Sequence, residues 1–460
     1  MGNPPNLTAL QHLQQAFCLI KLGGDILIVD RAEVAAVLSG QKAGSVNFYK
    51  RQAGEILIKR LLEQLPIPCD AKRAINDFWV DPLTHVYTDI AFNPTAQPAS
   101  TLNYWVGPVI EPKQGDWSRI RTHIHEVICD CDTELFEYLL DYVAHMLQRP
   151  EEKPGVMVVL LGSQGTGKGL FFQILQRIWG RTSLLVSDIQ QVVGNFNAAL
   201  ERNYVIMMDE ALFSGDRKSQ DRMKSLITEK TCTVEQKYQP SRTINSVHRF
   251  FASSNHEHFS HIEADDRRSL IVKVSKTRQG DRAYFSNLAT AIDDDTVIAA
   301  MVHDLMQRNL SHFDVRQRPL TQEHASQKIQ SLQGFDRYWF EVLTNGRYGE
   351  ESSGAYGWDE RWKDDDFIST KSLCARYQHY SKQSQRFGPT LTKTIAGSIE
   401  KLCPSARAAR KKEPIGQSRG YNVPSLEVAR SEMAAYLKCP IDWGEDEMID
   451  LTDKQVSRVI

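Results

Sequence analysis

The hydrophobic positions of the chain change their period several times, and each change predicts an element. Near the amino terminus short apolar pieces such as CLIKLGGDILIV alternate with the Pro- and Asn-containing segment FNPTAQPASTLNYW, which predicts a small α+β region over residues 1–115. From Thr133 the pattern TELFEYLLDYVAHMLQRP repeats apolar residues at helical spacing and stops at Pro150. A helical collar is expected over 116–150. Immediately afterwards GVMVVLLG is an unbroken apolar run, a buried strand feeding a glycine-rich loop. Two further runs follow, YVIMMDEA with Asp209 and Glu210 at its end and HRFFASSN with Asn255 at its end. A parallel sheet sets the carboxyl ends of such strands side by side along a crevice, so Lys168, Asp209, Glu210 and Asn255 are expected to converge. The fold class is α/β, with this core at residues 151–330. After about residue 335 the composition changes: RYGEESSGAYGWDERWKDDD reads as an exposed loop, and FISTKSLCARYQHYSKQ, TLTKTIAGSIEKLC and GYNVPS as two helices and a strand of a small separate domain, 331–435, followed by an acidic tail, 436–460.

The loop after the first core strand carries the most specific chemistry. Gly162, Ser163, Gln164, Gly165, Thr166, Gly167, Lys168, Gly169 and Leu170 satisfy the phosphate-loop pattern GxxxxGK(S/T) except at its last position, where Gly169 replaces the hydroxyl residue. In such a loop backbone N–H groups surround phosphates, Lys meets their charge and the hydroxyl holds magnesium. Nucleotide hydrolysis asks a protein mainly to position groups and supply charge. Asp209, on an apolar strand 41 residues after Lys168, suits the magnesium, and Glu210 suits the attacking water. The plainer alternative is a glycine turn beside a strand that happens to end in acids.

Other candidates are less specific. Asn255 fits a residue that orients water or senses the γ-phosphate, or else a strand-end turn. Arg267 and Arg268, in EADDRRSL, fit an arginine finger given to a neighbouring subunit's ATP, a role worth about 10³ to 10⁵ in rate, or else a salt-bridged surface. TCTVEQKYQPSRTINSV suggests a β-hairpin with Pro240 and Ser241 in the turn and Lys237, Tyr238 and Arg242 near the tip. Cations beside an aromatic ring suit a single strand of nucleic acid, although a solvated hairpin has the same pattern. KLCPSARAARKKEP holds Lys401, Arg407, Arg410, Lys411 and Lys412 against two glutamates, with Arg419 shortly after. This run is either a wet surface or the wing of a winged-helix fold touching backbone phosphates. His123, His125, Cys129 and Cys131 in THIHEVICDCD match no usual structural zinc spacing, and a half-buried helix is the better reading.

Composition narrows the setting. With 460 residues, 41% of them hydrophobic, the chain can bury large cores in two or three domains. A net charge of −2 means that contact with a polyanion has to come from local basic surfaces. The eight cysteines are scattered, as in reduced intracellular proteins. The segment MGNPPNLTAL has no basic and apolar leader pattern, and no apolar run is long enough to span a membrane.

Taken in order, GSQGTGKG, VIMMDEA, ITEKTCTVEQKYQ, RFFASSN, DDRR and the closing RGYNVPSLEVAR resemble superfamily 3 helicases of the AAA+ class, most closely the ATPase part of phage and plasmid primase-helicases related to the poxvirus D-type helicase-primase. The resemblance implies an AAA+ P-loop NTPase core, with Lys168 as Walker A lysine, Asp209 and Glu210 as Walker B, Asn255 as sensor 1, Arg267 or Arg268 as finger and Lys237 in a hairpin that grips DNA. It further implies ATP and Mg²⁺ as cofactors, a hexameric ring around one DNA strand, and the cytoplasm of a bacterial host. GTGKG with glycine last resembles a form that this phage family uses, with magnesium held by Asp209, water and phosphates. No paired-carboxylate primase motif is found, so a separate primase or polymerase is an expected partner. A protein-remodelling or defence ATPase and an ATP-switched origin-binding initiator are the competing readings.

Overall fold

The computed structural model describes residues 7–39, 41–42, 46–195, 197–210, 217–235, 241–255, 266–348, 361–384, 392–413 and 416–443. They divide into two units, residues 1–259 with 267–319 and residues 260–266 with 320–460. In the first unit, α1 (Ala9–Ala16) begins at a capping box, Thr8 accepting from the Gln11 amide while the Gln11 side chain accepts from the Thr8 amide. β1 (Phe17–Leu22) and β2 (Asp25–Asp30) form an antiparallel hairpin turned by Gly23 at φ 59°, a conformation open to glycine. After α2 (Arg31–Ser39) come α3 (Arg51–Gln64) and α4 (Ala71–Val80). The run FCLIKL of β1 is apolar at successive positions because both faces are covered: Phe17 and Leu19 pack with Ile58 and Phe78 of α3 and α4, whereas Cys18 and Ile20 join the main core. β3 (Val86–Tyr87) pairs parallel to β1, and β4 (Asp89–Ala91) pairs with β5 (Thr101–Asn103).

The centre of this unit is a five-stranded parallel sheet. α5 (Ser118–Thr122) runs into a π-helical turn, His123–Ile128, and α6 (Thr133–Gln148) starts from Asp132, which accepts from the Leu135 amide. Then follow β6 (Met157–Leu161), α7 (Lys168–Trp179), β7 (Ser183–Val186), α8 (Gln190–Val193), β8 (Val205–Met208), α9 (Arg217–Thr228), β9 (Thr231–Val234), β10 (Arg242–Asn245), β11 (Arg249–Ser254), β12 (Ser269–Lys273), α10 (Arg282–Asp293) and α11 (Asp295–Gln307). The strand order is β12-β6-β11-β8-β7, and every residue of β6, β8 and β11 is buried. Burial on both faces is why these strands read as unbroken apolar runs rather than alternating ones. Register sets Leu161 beside Ser254 and Met208 beside Ala252, so the three strands end within two residues of one another. β9 and β10 form a separate antiparallel pair.

The second unit contains α12 (Gln322–Ser331), α13 (Gly334–Asn345), β13 (Phe367–Ser369), α14 (Thr370–Ser384), α15 (Thr392–Leu402), β14 (Arg407–Glu413), β15 (Gly416–Asn422) and α16 (Leu426–Leu437). Its helices close a core of Phe335, Trp339, Tyr377, Ile399 and Met433 against an antiparallel sheet of order β13-β15-β14. The boundary lies near 320 rather than at 330, because α12 belongs here: Ala325 is in this core, and the buried Lys328 ammonium donates to the Leu437 carbonyl at 2.7 Å. At the far end the tail expected from 436 begins later, since Leu437 and Cys439 are core residues. The basic segment after α15 is itself a strand, β14, and the first three residues of FISTKSLCARYQHYSKQ are β13 rather than helix.

Three basic side chains cluster at the amino end of β11. Arg249 is fully buried, donating to the carbonyls of Val247 and Arg149, both at 3.2 Å, with its guanidinium 5.2 Å from the centre of the Tyr204 ring. His248 contacts the Leu200 carbonyl at 2.7 Å and Ser246 Oγ at 2.9 Å. The Lys153 ammonium points inward and donates to Ser246 Oγ at 2.6 Å. Burial, and then the Arg249 charge, push its pKa down from 10.5 to about 7. A lysine whose folded pKa is depressed costs stability below the folded value and ceases to do so as pH rises towards the unfolded one. Lys153→Met, which leaves Ser246 bonded to His248, is therefore expected to raise the melting temperature at pH near 7 and to give a shrinking gain towards about pH 10, measured by calorimetry at several pH values.

Candidate functional site

The site grows from the turn between β6 and α7. Gly165 at φ 78° and Gly167 at φ 97° let the chain turn back on itself and enter α7 at Lys168, its first residue. Thr166 is buried and its hydroxyl donates to the Ser163 carbonyl at 2.9 Å, tying the turn together. The amino end of α7, with its aligned amides, faces into the turn and favours an anion there. Around Gly169 there is open space, so the missing hydroxyl is not a steric necessity.

Lys168 is 7% exposed, and its ammonium donates to the carbonyls of Gly162 at 2.5 Å and Ser163 at 2.9 Å and to Asn255 Oδ1 at 2.8 Å. Asn255 Nδ2 in turn donates to Glu210 Oε1 at 2.6 Å. The Asp209 carboxylate accepts from the Ser253 hydroxyl. Burial lowers the Lys168 pKa, and the charges of Asp209 and Glu210 oppose that shift. Lys168, Asn255 and Glu210 are thus within one hydrogen-bonded group, drawn from the start of α7 and the ends of β8 and β11, and Asp209, next to Glu210, is tied to β11 by Ser253. Glu210 takes φ 55°, a left-handed conformation unusual outside glycine and typical of functional sites.

A wall of this site escapes sequence reasoning. His123, on the π-helical turn, is fully buried, and a Cβ on Gly167 would lie 2.6 Å from its Cε1 and 3.0 Å from Phe285 Cε1. Its Nδ1 meets the Tyr284 hydroxyl at 3.1 Å. Burial holds its pKa down at about 4, so the ring is neutral. Arg278 lies 4.9 Å from the Tyr284 ring centre and pairs with Glu126 and Asp281, both at 3.7 Å, while Gln279 donates to the Gln164 carbonyl at 2.9 Å. The segment after β12 and the π-helical turn therefore clasp the glycine loop from two sides. Nothing in the HxH spacing signals this packing role.

The remaining candidates lie elsewhere. Arg268 accepts through its carbonyl from the Met157 amide at 2.7 Å, which puts Arg267 and Arg268 at the amino edge of β12. That edge is a strand length, roughly 13 Å, from the loop at the opposite edge. Arg242 is corrected: it opens β10 and its guanidinium pairs with the buried Glu201 at 2.6 Å, so its charge is neutralised inside the protein rather than offered at a hairpin tip. Lys237 and Tyr238 lie outside the described residues. On β14, Arg407 and Lys411 share one face and Arg410 and Lys412 the other, because alternate residues of a strand face opposite ways. Lys401 leaves the basic patch altogether, pairing with Asp336 at 3.1 Å. Among the described residues no helix is long and apolar enough to cross a membrane, and no cluster of metal-ligating side chains is present.

Residues 160–268 match a family of unknown function (DUF5906). That segment holds every residue of the hydrogen-bonded group. The chain is also 28% identical over 151 residues to the DNA primase-polymerase of Nitratiruptor phage NrS-1, a match covering 32% of this chain and 21% of that protein. It thus spans about a fifth of the length of this relative. Two solved structures of the C-terminal region of NrS-1, both without ligand, superpose with a TM-score of 0.65, at 15% and 14% identity, each covering 90% of this chain and 97% and 98% of the other. The chain is homologous to part of a phage primase-polymerase and shares the mixed α/β fold of its C-terminal region.

The packing around the loop has a measurable consequence. Gly167→Ala adds a Cβ into His123 at a left-handed position, whereas Gly169→Ala adds one into open space on a helix. Urea denaturation is expected to show a loss of about 1–2 kcal/mol or more for the first and no loss for the second.

Proposed function

We propose that the chain is an ATP-dependent DNA helicase of phage replication, an AAA+ ATPase of superfamily 3 working as a hexameric ring on single-stranded DNA. The observation that carries this reading is the hydrogen-bonded path from Lys168 through Asn255 to Glu210, beside Asp209, at the amino end of α7. The start of α7 and the ends of two strands, far apart in sequence, bring a cation, an amide and two carboxylates to one turn. Homology to a phage primase-polymerase supports the replication setting and makes a primase or polymerase the expected partner.

In this mechanism the turn from Gly162 to Leu170 surrounds the triphosphate with backbone amides, and Lys168 exchanges its loop carbonyls for β- and γ-phosphate oxygens. The donor set fits a hydrated magnesium ion: Asp209 is a carboxylate oriented by Ser253, and when bound the ion neutralises charge on the phosphates. Asn255 touches both Lys168 and Glu210, so it is placed to report the γ-phosphate to the residue that orients water. Arg267 or Arg268, at the opposite edge of the sheet from its own loop, serves the nucleotide of the adjoining subunit. Lys237 and Tyr238, with the exposed β14 residues Arg407, Arg410, Lys411 and Lys412, contact the strand.

Hydrolysis of ATP should rise on adding single-stranded DNA and should be abolished in Lys168→Ala. Glu210→Gln keeps an oxygen for Asn255 yet removes the base, so nucleotide binding is expected to persist while turnover falls by about 10²-fold or more. Lys237→Ala should abolish the stimulation and spare the basal rate. A wild-type rate indifferent to DNA would favour the protein-remodelling reading. Gly169→Ser restores a metal-binding hydroxyl in available space, and the magnesium concentration for half-maximal activity should fall in a titration.

A further inference from the structure

The second unit contains a cleft of about 530 Å³, within the range of ligand pockets, of whose lining residues the motor mechanism uses only Lys411. Five of its lining residues are cationic and come from three parts of the chain: Arg361 and Lys363 from the segment before β13, Lys371 and Arg376 from α14, and Lys411 from β14. Asp366 is the one carboxylate among the lining residues. In a protein of net charge −2, a cavity lined by cations from three parts of the chain is a local surface that suits an anionic ligand. The first turn of α14 adds its amides and hydroxyls on the same side, with Ser369 capping Ser372 at 3.0 Å and both residues lining the cleft.

The cations are paired with aromatic rings. Arg376 is held 5.0 Å from the centre of the Tyr348 ring, which stacks on Trp362 at 5.4 Å and 13°, so the guanidinium is positioned by packing. The Lys411 ammonium lies 5.8 Å from the Phe367 ring, which is half-buried in the cleft wall. Phosphate pairing with cations and a base stacking on an aromatic face are what a nucleotide unit requires. Cations on more than one wall suit a strand that enters between them. A duplex, with its phosphates around the outside of a rod, meets only the rim.

We propose that this cleft is a second binding site for single-stranded DNA, which takes a phosphate between Lys371, Arg376 and Lys411 and a base against Phe367, independently of ATP. It goes beyond the proposed motor site, since the strand would be held by the second unit whatever the state of the nucleotide. The test is fluorescence anisotropy of a labelled oligothymidylate, without ATP, on the full chain carrying Lys237→Ala so that the hairpin does not contribute. Adding Lys363→Ala and Lys371→Ala, both at exposed positions, should weaken binding about tenfold or more and reduce the slope of log affinity against log salt by about 0.7, the value for one phosphate no longer neutralised. Phe367→Ala should weaken binding with little change of slope. Circular dichroism and the DNA-free ATPase rate should match the parent in both cases. Unchanged affinity and slope in the double variant would overturn the proposal. So would equal losses for strand and duplex, or a site that takes free thymidine triphosphate or tripolyphosphate in preference to the strand. Because no nucleotide is hydrolysed in the assay, a chain that proves not to be an ATPase still gives a readable result.

Discussion

A buried ammonium group has to find acceptors, and Lys168 finds them where β6 gives way to α7 and where β11 ends. Much of the first unit's arrangement follows from that requirement. The two left-handed glycines bring loop carbonyls round to the ammonium, and the parallel order of the sheet carries Asn255 next to it. Asn255 also reaches Glu210, so one amide side chain links the positive and negative halves of the site. β11 lies between β6 and β8, and a different strand order would separate the lysine from the carboxylates.

The loop is also constrained from behind. His123 and Phe285 approach Gly167 closely enough that only glycine fits, and they come from segments more than 150 residues apart. One of these contacts comes from the first residue of the π-helical turn, His123. The collar therefore does more than precede the core. It forms part of the glycine loop's support, through His123 against Gly167.

Charge is distributed by the same logic in the second unit. A cationic run in β14 is split by the strand's two-residue period, so that Lys411 lines a cleft while Arg410 and Lys412 face the other way. Residues that carry no motif, Arg361, Lys363, Lys371 and Arg376, line the same cleft as Lys411. Arg242 and Lys401 go the opposite way, each neutralised by a carboxylate brought near by the fold.

What the sequence determined by itself was local. The unbroken apolar runs identified β6, β8 and β11, because strands covered on both faces need apolar residues at every position. The glycine pattern identified the tight turn between β6 and α7, because its backbone conformations admit few other residues. Lys168, Asp209, Glu210 and Asn255 were legible for the same reason, each being the polar end of such an element. What only the tertiary structure decided was every relation between distant segments: His123 against Gly167, Arg242 against Glu201, the edge of the sheet on which Arg267 and Arg268 stand, and the assembly of the cleft from three elements. Those contacts depend on which surfaces meet when the helices and sheets pack, and no periodicity along the chain encodes a partner many residues away.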